Sequence, residues 1–117
     1  MALSIYVDGS GGPGGGYGYY VKESGESFYQ EEPGITNNQA EYKAVIAALK
    51  KFSDTEDVVI YSDSRNTVSQ LNHEFAINSP QLRDLAREAW EVIGRCRGVE
   101  IRWIPRKENL AGKMLGS

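Results

Sequence analysis

Three acidic side chains occupy unusual places in the predicted secondary structure. Glu41 lies on the apolar stripe of a predicted helix, one turn before Val45. Asp8 is the last residue of one strand-like run, and Asp63 directly follows another. A carboxylate on the buried face of a helix is costly unless a partner compensates it. Oxygen ligands gathered without His or Cys suit hard cations such as Mg²⁺ or Mn²⁺.

A capping role is the competing interpretation of Glu41. Asn37 or Asn38 has the character of a helix N-cap, and Asn38 followed by Glu41 fits the spacing of a capping box. In that interpretation the carboxylate closes the first turn of the helix and holds no ion. The other elements of the chain bear on this choice, because they decide whether further carboxylates come near.

Alternation and apolar runs predict five strands. They are Leu3–Asp8, Tyr17–Lys22, Ser27–Gln30, Val58–Ser62 and Val99–Ile104. A turn at Ser24-Gly25 joins the second and third strands, and Pro33-Gly34 ends the third. The nearly continuous apolar run of Val58–Ser62 indicates a strand buried on both faces, as in a parallel sheet.

Helical spacing of apolar residues predicts four helices. They are one from Asn37 or Asn38 to about Phe52, one over Ser64–Glu74, one from Ser79-Pro80 closed by Gly98, and one over Asn109–Leu115. With the strands, this order predicts a single α/β domain over residues 1–117, built on a mixed five-stranded sheet. Ligands gather at the carboxyl ends of parallel strands, where Asp8 and Asp63 are expected.

Composition limits the class of protein. The 117 residues suffice for one domain, and 40% hydrophobic with 25% charged residues is typical of a soluble globular protein. The net charge of −3 argues against nucleic-acid binding by bulk charge alone. A lone Cys96 excludes an internal disulfide and a cysteine metal cluster. No apolar run approaches a membrane span, and the strand-like start argues against a signal peptide, so we expect a cytoplasmic monomer.

The glycine-rich segment Gly9–Gly16 is not a phosphate loop. It lacks the Lys-Ser/Thr ending of such loops, and no helix follows it. We predict a flexible turn that lets backbone approach something closely.

Convergence of the three carboxylates would define the chemistry. If the strands that carry Asp8 and Asp63 are parallel neighbours, both side chains emerge at one sheet edge, and the helix adds Glu41. Carboxylates so close would take up protons unless cations intervene. A pair of hard cations about 4 Å apart can activate water and stabilise the leaving oxygen of a phosphodiester. The pattern therefore predicts hydrolysis of a nucleic-acid backbone.

Three segments of the chain resemble the signature segments of type 1 ribonuclease H. They are Tyr6–Ser10, Thr36–Glu41 and Ile60–Ser64, in matching order and spacing. The resemblance implies the ribonuclease H-like fold, with helices on both faces of the sheet. It also implies cleavage of the RNA strand of RNA/DNA hybrids with two divalent ions, Mg²⁺ or Mn²⁺. By resemblance, the metal-binding carboxylates are Asp8, Glu41 and Asp63.

The fourth acidic position of the family is altered here. The family carries a carboxylate near the start of its last helix, and either Asn109 or Lys113 occupies that place. The pair Leu110-Ala111 favours Asn109, whose amide oxygen can ligate a hard cation with less charge. Lys113 would place a cation in the site and predicts a crippled enzyme. A structural alternative is that Asn109 only caps the short helix.

The resemblance also implies which residues contact the hybrid. The RNA strand would meet Gly9, Ser10, Asn38 and Gln39 in the minor groove. The DNA strand or its phosphates would meet Thr36, Asn37 and Arg65, with Arg106 or Lys107 as a further phosphate contact. Members of the family often carry a mobile histidine near the loop that here contains Arg106 and Lys107. The single histidine of this sequence, His73, follows Asp63 instead and is expected on the surface.

Three functions are compatible with these residues. The first is an active ribonuclease H, the second a non-catalytic hybrid-binding module that lost its fourth acid, and the third a nuclease or integrase of the same fold acting on DNA. The three carboxylates favour catalysis over binding alone. The pair Asn38-Gln39 favours an RNA-reading surface over a DNA enzyme.

Overall fold

The computed structural model describes residues 2–52 and 57–115, without the side chains of residues 113–115. The strands in these ranges are β1 Leu3–Ser10, β2 Gly16–Val21, β3 Ser27–Glu31, β4 Val58–Ser62 and β5 Val99–Trp103. The helices are α1 Asn37–Phe52, α2 Arg65–Leu71, α3 Pro80–Arg95 and α4 Leu110–Leu115, with a 3-10 turn over Arg106–Glu108 before the last. The predicted order of strands and helices is confirmed.

The strands form one mixed sheet in the order β3-β2-β1-β4-β5. The hairpin strands pair antiparallel, β1 with β2 and β2 with β3. The crossover strands pair parallel, β1 with β4 and β4 with β5. The mixed five-stranded sheet is confirmed, and so is the parallel contact between β1 and β4 that the carboxylate argument needs.

Strand β1 runs further than its apolar alternation predicts. Gly9 and Ser10 continue the antiparallel ladder opposite Tyr17 and Gly16. Asp8 therefore lies inside the strand and not at its end. The parallel ladder with β4 stops earlier, at Tyr6, so Asp8 projects beyond it at the open edge between the two strands.

Strand β4 is buried on one face only, so the prediction of burial on both faces is wrong. Val58, Ile60 and Ser62 are buried, whereas Tyr61 is half-buried. The ring of Tyr61 stacks on Tyr6 of β1 with 4.9 Å between centroids. Aromatic side chains supply much apolar surface even where water reaches them, which explains why the run appears continuous in sequence.

The core lies between the sheet and helix α1, and helix α3 packs on α1. Ile5, Val7 and Ile60 project from the sheet into this layer. The predicted apolar stripe of α1 is confirmed through Val45, Ala48 and Leu49, all fully buried, and Leu82, Ala86 and Ala89 of α3 pack in the same cluster. No helix within the two described ranges is both long and apolar enough to cross a membrane.

Two helices end earlier than predicted. Helix α2 ends at Leu71 because His73 adopts a positive φ of 63° and the Asn72 side chain donates to the Ile101 carbonyl of β5 at 2.9 Å. Helix α3 begins as predicted, with the Ser79 hydroxyl accepting from a backbone amide of the first turn. It ends at Arg95, before Gly98, because the next residue is extended.

The glycine segment after β1 packs against the entrance of α1. The Gly11 amide donates to the Asn37 side chain at 2.6 Å, and the Gly12 amide donates to the Ile35 carbonyl at 3.0 Å. A Cβ on Gly9 would lie 2.5 Å from the carbonyl carbon of Ala40. The predicted close approach is confirmed, and its target is the chain's own backbone.

Gly9→Ala is expected to destabilise the fold by about 3 kcal/mol, at the upper end of overpacking costs. The new methyl group would meet the backbone of Ala40, which cannot rotate away, and would push the first turn of α1 off the sheet. Gly14→Ala is the matched control, because open space surrounds that position. Urea unfolding should separate the two variants, and equal midpoints would contradict the packing argument.

Candidate active site

A reciprocal capping box starts helix α1 and uses Thr36 as the N-cap. The Gln39 amide donates to the Thr36 hydroxyl at 3.0 Å, and the Thr36 amide donates to the Gln39 side-chain oxygen at 3.0 Å. The prediction that Asn37 or Asn38 caps this helix is therefore wrong. Glu41 takes no part in the cap, which removes the capping interpretation of its carboxylate.

The carboxylate of Glu41 faces the sheet with only 6% of the residue exposed. One oxygen accepts from the Gly9 amide at 3.0 Å, and the other accepts from the Ser62 hydroxyl at 3.2 Å. These two donors come from β1, which contains Asp8, and from β4, which directly precedes Asp63. Helix α1 is therefore anchored across the edge where both strands emerge.

The three acidic side chains converge, as expected from the strand ends. Asp8, Glu41 and Asp63 offer oxygen atoms that all lie within 4.8 Å of one another. Asp8 and Glu41 are buried, and Asp63 is half-buried on the open side. An all-oxygen set of this size fits a hard divalent cation such as Mg²⁺ or Mn²⁺. These three residues would hold it.

The charge state of Glu41 reflects this crowding. Burial, together with the nearby carboxylates of Asp8 and Asp63, raises the pKa of the Glu41 carboxyl to about 8. The hydrogen bonds from Gly9 and Ser62 act the other way, because they favour the charged form. Without a cation, the site keeps a proton near neutral pH.

The stability of the metal-free protein should fall as the pH rises from about 4.5 to about 8. Within that window the folded protein holds a proton on Glu41 that the unfolded chain has released, so the free energy of unfolding declines, by a few kcal/mol in total. Urea titrations at several pH values in chelator would measure the slope. Glu41→Gln should flatten it, and an unchanged slope in that variant would assign it to other groups.

Asn109 lies fully buried beside the carboxylates. Its amide nitrogen donates to the Val7 carbonyl at 2.8 Å and to Asp63 Oδ2 at 2.9 Å, while its oxygen accepts from the Ala111 amide at 3.0 Å. The Val7 carbonyl can only accept a hydrogen bond, so the Asn109 side chain must turn its NH₂ group, and not its oxygen, toward Val7. The predicted cap on α4 is confirmed. Lys113 lies on α4, and its side chain is outside the described part.

The predicted substrate contacts fall in two groups around the carboxylates. On one side, Gly9 and Ser10 end β1, and the segment of residues 36–39 is tied to them by the bond from Gly11 to Asn37. Asn38 is exposed there, whereas the side chains of Thr36 and Gln39 are engaged in the capping box. On the other side, Arg65 and Arg106 are both exposed.

Two residues beside the site were missed from the sequence. Ser62 is buried, donates to Glu41 and accepts from the Ser64 amide at 3.0 Å. A small hydroxyl at the end of an apolar run, directly before Asp63, was the available signal. Trp103 ends β5 and contacts both Asp63 and Arg65. His73 lies elsewhere and, as predicted, on the surface.

Comparisons with known proteins place this arrangement in a family. The RNase H family profile matches residues 1–110. Ribonuclease HI of Halobacterium salinarum is 34% identical over 92% of this chain and 58% of its own length. The Enterococcus faecalis protein EbsB is 32% identical over 97% of this chain and 90% of its own. Against the mycobacterial relatives, the chain spans only 33% of their length.

Solved structures show the same fold. RNase H1 of Halobacterium salinarum superposes with a TM-score of 0.87 at 29% identity, over 98% of this chain and 94% of that one. LC11-RNase H1, solved in complex with an RNA/DNA hybrid, superposes with a TM-score of 0.85 at 23% identity, over 97% and 92% of the two chains. Because the profile covers nearly the whole chain and the folds agree, the protein belongs to the RNase H family.

Proposed function

We propose that this protein hydrolyses the RNA strand of RNA/DNA hybrids with divalent cations held by Asp8, Glu41 and Asp63. The observation that carries the proposal is the convergence of these three carboxylates, from β1, α1 and β4, within 4.8 Å. Membership of the RNase H family and the hybrid bound by the related LC11 enzyme support the choice of substrate.

The chain's own groups prepare the carboxylates for this task. Two Mg²⁺ or Mn²⁺ ions, when bound, would supply an activated water and charge compensation at the leaving oxygen. The Gly9 amide and the Ser62 hydroxyl hold the charged form of Glu41 and fix its orientation. The half-buried position of Asp63 leaves it on the side from which a phosphodiester can approach.

Asn109 contributes chiefly by holding Asp63. Its amide nitrogen binds Asp63 Oδ2 and thereby limits the rotation of that carboxylate. Direct ligation by the Asn109 oxygen, as expected from the sequence, would require the amide to turn and to give up its bonds to Val7, Asp63 and Ala111. Ligation by Asn109 therefore stays a prediction, and a carboxylate at this position tests it.

Hybrid recognition would use the two groups of residues around the carboxylates. The backbone at Gly9 and Ser10 and the exposed amide of Asn38 suit the 2′-hydroxyls of an RNA strand, which distinguish RNA from DNA. Asn37, Arg65 and Arg106 suit phosphate oxygens. The side chains of Thr36 and Gln39 bind one another's backbone amides in the capping box. We therefore assign these two residues to shaping the surface rather than to direct contact with the hybrid.

A non-catalytic hybrid-binding module is the second candidate. The observation that favours it is the neutral amide of Asn109 beside Asp63, at the position that the pair Leu110-Ala111 favours for the family's fourth carboxylate. Less negative charge would weaken the hold on the second ion. Binding without cleavage in either metal would identify this module.

One assay separates the candidates. Labelled RNA/DNA hybrid, duplex DNA and duplex RNA are incubated with the protein in Mg²⁺, Mn²⁺ or chelator. We expect cleavage of the hybrid alone, only with metal. Cleavage of duplex DNA in preference to the hybrid would indicate a DNA nuclease of the same fold and would overturn the proposal.

A further inference from the structure

Trp103 stands next to the acidic site although 40% of it is exposed to solvent. It is the last residue of β5 and lies opposite Ser62 in the parallel ladder with β4. Large aromatic side chains normally stabilise a fold through the apolar surface that they bury. A tryptophan so open, at the end of a strand beside a cluster of carboxylates, calls for a role in the site.

The indole extends the β4–β5 ladder by one bond. The backbone ladder ends where the Ile104 amide donates to the Ser62 carbonyl at 2.9 Å. Asp63 directly follows Ser62, the last residue of β4. The Asp63 carbonyl accepts a hydrogen bond from the indole nitrogen of Trp103 at 3.2 Å. The side chain thus holds the backbone of Asp63 where main-chain pairing has stopped.

The face of the same indole carries Arg65. The guanidinium carbon of Arg65 lies 4.2 Å from the centre of the Trp103 ring, within the range of a cation–π contact. None of the ion pairs formed by the described residues involves Arg65. A guanidinium held over an aromatic face by a cation–π contact does not spend its N–H groups on that contact, so they stay available to phosphate oxygens.

We propose that Trp103 is a positioning residue that sets both the backbone of Asp63 and the guanidinium of Arg65. This inference rests on the proposed function, because Arg65 is assigned there to a phosphate of the hybrid. One aromatic ring then couples a cation-holding carboxylate to a substrate contact two residues later in the chain. The ring orders the Arg65 side chain before the hybrid binds and keeps its guanidinium near Asp63.

The two contacts of the ring can be separated by substitution. Trp103→Phe keeps an aromatic face under Arg65 and removes the indole N–H to Asp63. Trp103→Leu removes both. Trp90→Phe is the matched control, because the indole of Trp90 donates to the Leu71 carbonyl at 3.0 Å and lies away from the carboxylates.

The first measurement is the salt dependence of hybrid binding. An Asp8→Asn background in Mg²⁺ permits binding to a labelled RNA/DNA hybrid without cleavage. Arg65→Ala should weaken binding and reduce the slope of log K against log salt by about one, the loss of one phosphate contact. Trp103→Leu should lower the slope in the same direction and weaken binding about threefold to tenfold. Trp103→Phe and Trp90→Phe should keep the parent slope.

The second measurement tests whether Trp103 acts through Arg65. In the double variant Arg65→Ala/Trp103→Leu, hybrid binding should be no weaker than in Arg65→Ala alone, since the ring has no guanidinium left to hold. With the Asp8 carboxylate restored and Mg²⁺ present, Trp103→Phe should lower kcat several-fold at unchanged KM, because only the support of Asp63 is lost.

Two outcomes would overturn the inference. Additive losses in the double variant would show that Trp103 contributes to binding independently of Arg65. An unchanged kcat in Trp103→Phe would remove the role toward Asp63. Failure of the parent protein to bind any hybrid is a different result, because it would contradict the proposed function itself. Circular dichroism and urea unfolding confirm that each variant is folded.

Discussion

Replacing Asp8 with Asn is expected to reduce hybrid cleavage at least about a thousandfold, a loss of more than about 4 kcal/mol of transition-state stabilisation. The variant removes one of three carboxylates that lie within 4.8 Å and would hold the cations. The same change should stabilise the metal-free protein by about 1 kcal/mol at pH 8, because the charge of Asp8 is one cause of the raised pKa of Glu41.

These opposite effects on activity and stability distinguish a functional carboxylate from a structural one. Asp84→Asn is the matched control, since Asp84 is exposed and forms an ion pair with Arg87 on the surface of α3. That variant should keep full activity and nearly parent stability. Cleavage rates in Mg²⁺ and urea midpoints in chelator supply both readouts. An Asp8→Asn enzyme that retains a tenth of the parent rate would remove Asp8 from the catalytic set.

Asn109→Asp is expected to destabilise the metal-free protein by about 3 kcal/mol, the cost of an uncompensated buried charge. The new oxygen would face the Val7 carbonyl and the Asp63 carboxylate, at positions where the parent amide donates hydrogen bonds at 2.8 and 2.9 Å. Added Mn²⁺ or Mg²⁺ should restore much of this stability, and the metal concentration for half-maximal cleavage should fall, because a fourth carboxylate then shares the cations.

The control for this variant is Asn78→Asp, the same change at an exposed position before α3. It should alter neither the melting temperature in chelator nor the metal requirement. Thermal unfolding with and without metal, and cleavage rates over a metal titration, are the measurements. If Lys113→Asp raises activity while Asn109→Asp does not, the fourth position of the family lies at Lys113.

Local patterns were enough to predict most of the elements. The apolar stripe of α1 and the start of α3 at Ser79 depend on residues three or four positions apart, so both can be predicted from the sequence alone. The Thr36–Gln39 capping box is equally local and could have been read. It was missed because the adjacent asparagines are also good caps.

The convergence of Asp8, Glu41 and Asp63 could also be anticipated from the sequence, since parallel neighbours end at a common sheet edge and a helix entrance crosses it. The orientation of Asn109 and the contacts of Trp103 could not. They depend on bonds to Val7, 102 residues away, and to Asp63, 40 residues away. Sequence periodicity carries information about faces and ends of elements, whereas the partner of a buried amide or an indole is decided only when distant strands come together.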